Sequence, residues 1–117
     1  MRAWCLALTV LVCGCGDRSA PQTAAQVDSL RPTDTRLADA YERSCLLCHG
    51  RLGSGSPATG DQAAWKPRLA KGLDALVVNA RTGINGMPAM GLCADCSDAE
   101  LRQLILFMSA APAPKAP

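Results

Sequence analysis

Cys45, Cys48 and His49 stand together in the run Cys45-Leu46-Leu47-Cys48-His49. Two thiols three positions apart, followed at once by an imidazole, suit covalent haem attachment. Each thiol can add to one haem vinyl group, forming a thioether, and the adjacent imidazole then meets the iron from the same side. An iron held by one His nitrogen has a sixth position. That position is either filled by a second protein ligand or left open for chemistry, and the choice separates an electron carrier from a haem catalyst or gas binder. The competing readings are a CxxC dithiol, or half of a zinc site beside a chance His.

His49 is the only His in the chain, so two imidazoles of one chain cannot ligate the iron. The sulfur ligands available in irregular chain are Met87 and Met90, since Met1 lies in a leader segment and Met108 on an apolar helical stripe. Met87 sits between Gly86 and Pro88, a local rigidity that suits presenting a thioether to a metal. It is the favoured candidate, with Met90 as the alternative. A His/Met pair leaves no open position, which favours electron transfer over oxygen or peroxide chemistry. No Ser/His/Asp set, phosphate-binding loop or carboxylate pair near a second imidazole accompanies the motif, and His49 cannot be both iron ligand and general base.

Cys93-Ala94-Asp95-Cys96 is a second CxxC with no His after it. A short disulfide just before the last helix is the favoured reading, of modest stabilising value because the loop it closes is small. The rival joins Cys45, Cys48, Cys93 and Cys96 around zinc. The separation of the two pairs far exceeds that of compact zinc ribbons, and zinc would leave His49 and the methionine loop without a role.

The chain of 117 residues has room for one small domain with appendages, and only 3% of it is aromatic. Such a domain buries little apolar surface by itself, and an apolar cofactor in the core would supply what the side chains lack. The net charge of +2 is interspersed and gives no basic patch for nucleic acid. Seven cysteines point to an extracytoplasmic compartment, a cofactor site, or both.

Residues 1–15 read as an export signal, with Arg2 ahead of an apolar run from Ala3 to Val12 that is too short to span a bilayer. Val12-Cys13-Gly14-Cys15 resembles a bacterial lipobox, with Cys15 as the residue to be lipidated. The alternative is ordinary cleavage after Gly14. Residues 16–33 are small and polar and read as a flexible tether. The folded domain is expected over 34–110. It opens with a helix capped by Thr33 or Asp34, runs to about Ser44, and carries Leu37, Ala40 and Tyr41 on one face. Gly50 to Gly60 reads as a loop that passes close to the cofactor. Asp61 caps a short helix through Trp65 that Pro67 limits. Leu73 to Arg81 is a further helix, and Thr82 to Gly91 is irregular. Ser97-Asp98-Ala99-Glu100 is a capping box for a last helix whose stripe is Leu101, Leu104, Ile105 and Met108. Residues 111–117 are a solvated tail. The fold class is all-α, about four short helices around one covalently bound haem.

The ordered set of motifs resembles the cytochrome c5 family of small bacterial c-type cytochromes. It comprises Cys45 to Gly50, Gly55-Ser56-Pro57 with Thr59-Gly60-Asp61, Ala64 to Arg68, Gly83 to Pro88, and Gly91 to Ser97. The resemblance spans about residues 34 to 110 and implies a cytochrome c fold with one haem c. It implies thioethers at Cys45 and Cys48, His49 and Met87 as iron ligands, and a Cys93–Cys96 disulfide. It places Pro57 near His49, where a backbone carbonyl could fix the imidazole tautomer, and Trp65 and Arg68 near the haem and its propionates. After Met87-Pro88 the family often has a basic residue and a Gly pair. Here Met90, Gly91 and Leu92 replace charge with apolar surface. The expected function is single-electron transfer between redox proteins in the bacterial periplasm, without enzymatic activity, the membrane being reached only through the lipid anchor at Cys15. The alternatives are a haem-bearing subunit of a larger redox enzyme and a small-gas or peroxide-binding haem protein.

Overall fold

The computed structural model describes residues 22–110. The signal segment, Cys15, the first part of the tether and the 111–117 tail lie outside the described residues. Among the described residues the fold is helical and contains no strand, only an isolated antiparallel bridge between Ile84 and Met87. None of its helices is long and apolar enough to cross a membrane.

The stretch expected as a tether is not uniform. Ala24–Ser29 forms a helix, α1, closed by a reciprocal cap between Thr23 and Gln26. Val27 on α1 is fully buried. Val27 and Leu30 are the only large apolar residues in the run 16–33, too few to give a periodicity to read, so the tertiary contact decides this helix, not propensity.

Asp34 is the cap that starts α2, Thr35–Ala40, its carboxylate accepting from the Leu37 N–H at 2.9 Å. The helix does not stop near Ser44 as expected. It passes through a π-helical turn, Tyr41–Cys45, into α3, Leu46–His49. The run Cys45 to His49 is therefore the last turn of a continuous helical rod. After the loop, Asp61 caps α4, Gln62–Leu69, accepting from Ala64 at 3.0 Å. Pro67 lies inside α4 instead of ending it. The ring removes one helical hydrogen bond, and the burial of Trp65 two residues earlier keeps the segment seated. α5 spans Leu73–Thr82, and a 3₁₀ turn spans Ala89–Leu92.

α6, Asp98–Ala110, begins at the expected capping box: Glu100 N–H donates to Ser97 Oγ at 3.2 Å, and Ser97 N–H donates to the Glu100 carboxylate at 2.8 Å. Leu101, Leu104, Ile105 and Met108 are all buried, as the spacing requires. α6 packs on α2, α4 and α5, and the core runs from Leu37, Ala40 and Tyr41 through Leu76, Val77 and Ala80 to this stripe. Tyr41 meets Phe107 edge-on, with ring centres 5.2 Å apart. Arg36 ties α2 to the start of α6, its Nε donating to Glu100 at 2.8 Å and its Nη1 to Asp95 at 3.1 Å.

Candidate haem site

Cys45 ends the π-turn, and Cys48 and His49 follow in α3, so one rigid element places all three. Both thiols are free, Cys45 half-buried and Cys48 exposed. Burial pushes the Cys45 thiol up to about 11. A thiol raised in this way is a poor nucleophile, so Cys45 does not suit the attacking role in a thioredoxin-like dithiol.

His49 is buried at 7% exposure, and its Nδ1 lies 2.8 Å from the Pro57 carbonyl. A carbonyl only accepts, so Nδ1 carries the proton and Nε2 keeps its lone pair. Nε2 makes no hydrogen bond among the described residues. Burial lowers the imidazole's proton affinity, partly offset by the Pro57 bond. The ring is thus neutral and metal-ready. The loop after α3 secures it again through the main chain, Thr59 N–H donating to the His49 carbonyl at 2.7 Å. Trp65 stacks on the imidazole with ring centres 5.9 Å apart, and its Nε1 donates to Ala58 O at 2.9 Å. Pro57, Ala58 and Thr59 therefore form the wall behind His49. Arg68 is exposed on α4 and donates to Ala64 O at 2.6 Å within its own helix.

The methionine loop is closed by reciprocal main-chain bonds between Ile84 and Met87, at 2.9 and 3.1 Å. Gly83 makes that closure possible: its φ is 85°, and a Cβ there would lie 3.0 Å from both Ala89 N and Met87 O. Met87 and Met90 are both half-buried against the core. Met90 and Leu92 adopt left-handed backbone, φ 61° and 66°, unusual for residues with side chains. Ser44 Oγ donates to Leu92 O at 3.3 Å, which fastens this loop to the attachment helix. Cys93 and Cys96 are disulfide-bonded between the loop and α6. Their carboxylate neighbour Asp95 binds Arg43 at 2.8 Å and Arg36, so the bridge is laced to the first helices by charge.

The donor set suits a haem c. It offers two free thiols on one helical turn, an imidazole with its proton fixed on the far nitrogen, and two thioethers in one constrained loop. The Tyr41 hydroxyl shares a hydrogen bond with Thr59 Oγ1 at 2.7 Å; this link and that from Thr59 to His49 have no sign in the sequence, because neither Tyr41 nor Thr59 belongs to a ligand pattern.

Comparison with known proteins agrees with this chemistry. A family model described as cytochrome C oxidase, cbb3-type, subunit III matches residues 32–108. Cytochrome c5 of Ectopseudomonas mendocina is 49% identical over 73 residues, covering 61% of this chain and 84% of that protein. The chain belongs to the cytochrome c5 family. Cytochrome c5 of Azotobacter vinelandii is 48% identical over 73 residues, 61% of this chain and 88% of that protein. Two solved structures share the fold. The first, an electron transfer complex of nitrite reductase with cytochrome c, aligns at TM-score 0.59 and 35% identity over 67% of this chain and 95% of that one. The second, a mono-heme ferrocytochrome c from Shewanella putrefaciens, aligns at 0.57 and 42% over 62% and 90%. Like its c5 relatives, the chain is an all-α cytochrome c with one covalent haem c.

Proposed function

We propose that this chain is a periplasmic monohaem electron carrier in which Cys45 and Cys48 hold the haem as thioethers, and His49 and Met87 ligate its iron. Its role as an electron carrier, not an enzyme, follows from its family. The observation that carries the residue assignment is the tautomer of His49. A buried imidazole donates Nδ1–H to Pro57 O at 2.8 Å and keeps Nε2 for a metal, one residue from a free thiol. When bound, the haem supplies a one-electron ferrous/ferric couple.

The protein's part is to keep that couple's surroundings constant. The Pro57 bond fixes the ring plane and raises the basicity of Nε2. Trp65 covers the imidazole and keeps water from its face. The Ile84–Met87 closure stops the thioether from collapsing into the core. Arg68, one turn from Trp65 on α4, is proposed to serve the haem propionates. A small carrier of this kind meets other redox proteins in turn. Leu47 and Leu92, 57% and 59% exposed, offer apolar contact beside the attachment helix. Cys15 is the proposed lipid anchor, holding the carrier at a membrane.

The description of the matched family model raises a second reading, a haem-bearing subunit of a larger redox enzyme. The extensive match to cytochromes c5, over 84% and 88% of their length, favours the free carrier. The deciding experiment is an absorption spectrum and intact mass of exported, haem-matured protein. One haem, a far-red sulfur-to-iron band that disappears in Met87→Ala, and an acyl mass at Cys15 are expected. A haem without that band in the native protein would overturn methionine ligation, and rapid carbon monoxide binding to the reduced form would indicate an open site.

A further inference from the structure

α1 and Arg31 precede the residues 32–108 that the family model matches, yet Arg31 is fastened to Glu42 and Tyr41 in the π-turn. Arg31 closes the C-terminal end of α1, its Nη1 donating to Asp28 O at 2.5 Å and Leu30 O at 2.8 Å. Those carbonyls would otherwise go unpaired at the helix end. The same guanidinium donates from Nε to Glu42 at 2.7 Å, and its Cζ lies 5.8 Å from the centre of the Tyr41 ring. Val27 on α1 is fully buried, so the segment is held by packing, capping and charge together.

Tyr41 carries this contact inward. Its ring is enclosed by Arg31 and by Phe107. Its hydroxyl shares a hydrogen bond with Thr59 Oγ1 at 2.7 Å, and both residues are fully buried. Thr59 N–H reaches the His49 carbonyl at 2.7 Å, and Pro57 O takes the ring proton at 2.8 Å. The strip 57–59 thus holds His49 by main chain and ring, and Tyr41 holds the strip.

We propose that α1 and Arg31 form a clamp that acts through Tyr41 and Thr59 to fix the His49 imidazole, and so sets the potential of the iron it holds. This rests on His49 being an iron ligand. A firm bond from Nδ1–H to Pro57 makes Nε2 a stronger donor, which favours ferric iron. Loosening the strip weakens that bond, so the potential rises. Removing the Arg31 cation outright would act the other way, by relieving repulsion with the oxidised centre. Charge-conserving changes separate the two effects. Arg31→Lys keeps the charge but cannot make the planar, several-pronged contact. Tyr41→Phe removes only the hydroxyl link.

The test uses full-length holoprotein, comparing wild type, Arg31→Lys, Tyr41→Phe and the double variant. The measurements are the midpoint potential and, by NMR of the ferrous form, the solvent exchange of the His49 ring N–H. Exchange is expected to quicken by about fivefold in each single variant, the worth of one ordinary hydrogen bond. The potential should rise in each, and the double variant should move no further than the larger single one, because both changes cut one relay. His49 ring signals without the large upfield shift of an iron-bound imidazole in wild type would defeat the ligation reading itself. Ligated rings with unchanged exchange and potential would overturn the clamp even if the melting temperature fell. Fully additive shifts would show two separate effects and overturn the relay.

Discussion

Replacing Gly91 with Ala sets a methyl group against the proposed iron ligand. Gly91 sits at φ 55°, in the left-handed region where a side chain costs about 1–2 kcal/mol. The new Cβ would lie 3.1 Å from Met87 Cε. A free methionine would swing its methyl end aside at little cost, whereas one whose sulfur is bound to iron must tilt or stretch that bond. Gly86→Ala in the same loop is the control, since a Cβ there meets nothing within 4 Å. It is expected to change stability by no more than about 0.5 kcal/mol. Gly91→Ala should lose about 1–2 kcal/mol, a fall in Tm of roughly 4–8 °C per kcal/mol for a domain this size. It should also weaken the far-red sulfur-to-iron band of the oxidised protein. Thermal melts and absorption spectra of both oxidised holoproteins decide the matter. An undiminished band in Gly91→Ala would refute the placement of the ligating thioether against Gly91 and turn attention to Met90.

Leu104→Ala empties a position only 1% exposed on α6 and should cost about 2–5 kcal/mol in denaturant unfolding. A loss below about 1 kcal/mol would mean that the stripe is not core. Asp95, bound first by Arg43, has its carboxyl pKa lowered from 3.8 to about 2. A carboxyl whose folded-state pKa is lowered stabilises the fold above its ordinary value and loses that contribution as the pH falls through its folded one. The loss therefore belongs between 3.8 and about 2. Asp95→Asn should melt with a shallower pH dependence across that window, and added salt should narrow the difference because the pair is exposed. Parallel melting curves would show that the ion pair contributes nothing.

The parts of this molecule that the sequence made legible are those encoded by local rules. Ser97 and Glu100 cap each other across four residues, and Leu101, Leu104, Ile105 and Met108 must share a face of any helix they occupy. Both features can be read without knowing what lies opposite. The Cys45-to-His49 motif is conspicuous for the same reason, since its spacing is local, although spacing alone leaves a dithiol or zinc site as rivals. The other features depend on distant partners. α1 exists because Val27 finds a buried site and Arg31 finds Glu42 and Tyr41. Nothing in residues 16–33 announces either. Pro67 reads as a limit because proline breaks an isolated helix, but a helix already fastened by a buried Trp65 tolerates one missing bond. The support of His49 by Thr59 runs from main chain to main chain, through a donor that every residue but proline possesses.

The π-turn at Tyr41–Cys45 had no signature either, yet the site depends on it. In an uninterrupted α-helix, residues four and seven positions after Tyr41 return to roughly its own face, because each residue turns the chain by about 100°. Those residues are Cys45 and Cys48. Tyr41 is fully buried and packs toward Phe107 and Thr59, so both thiols would be driven into the same core. One extra residue in the turn holds the following segment back by about the angle of a single residue. Cys48 then emerges exposed while Tyr41 stays inside, and His49 can still turn inward to Pro57. A single helical rod thereby packs one face against α6 and turns Cys48 out from that face.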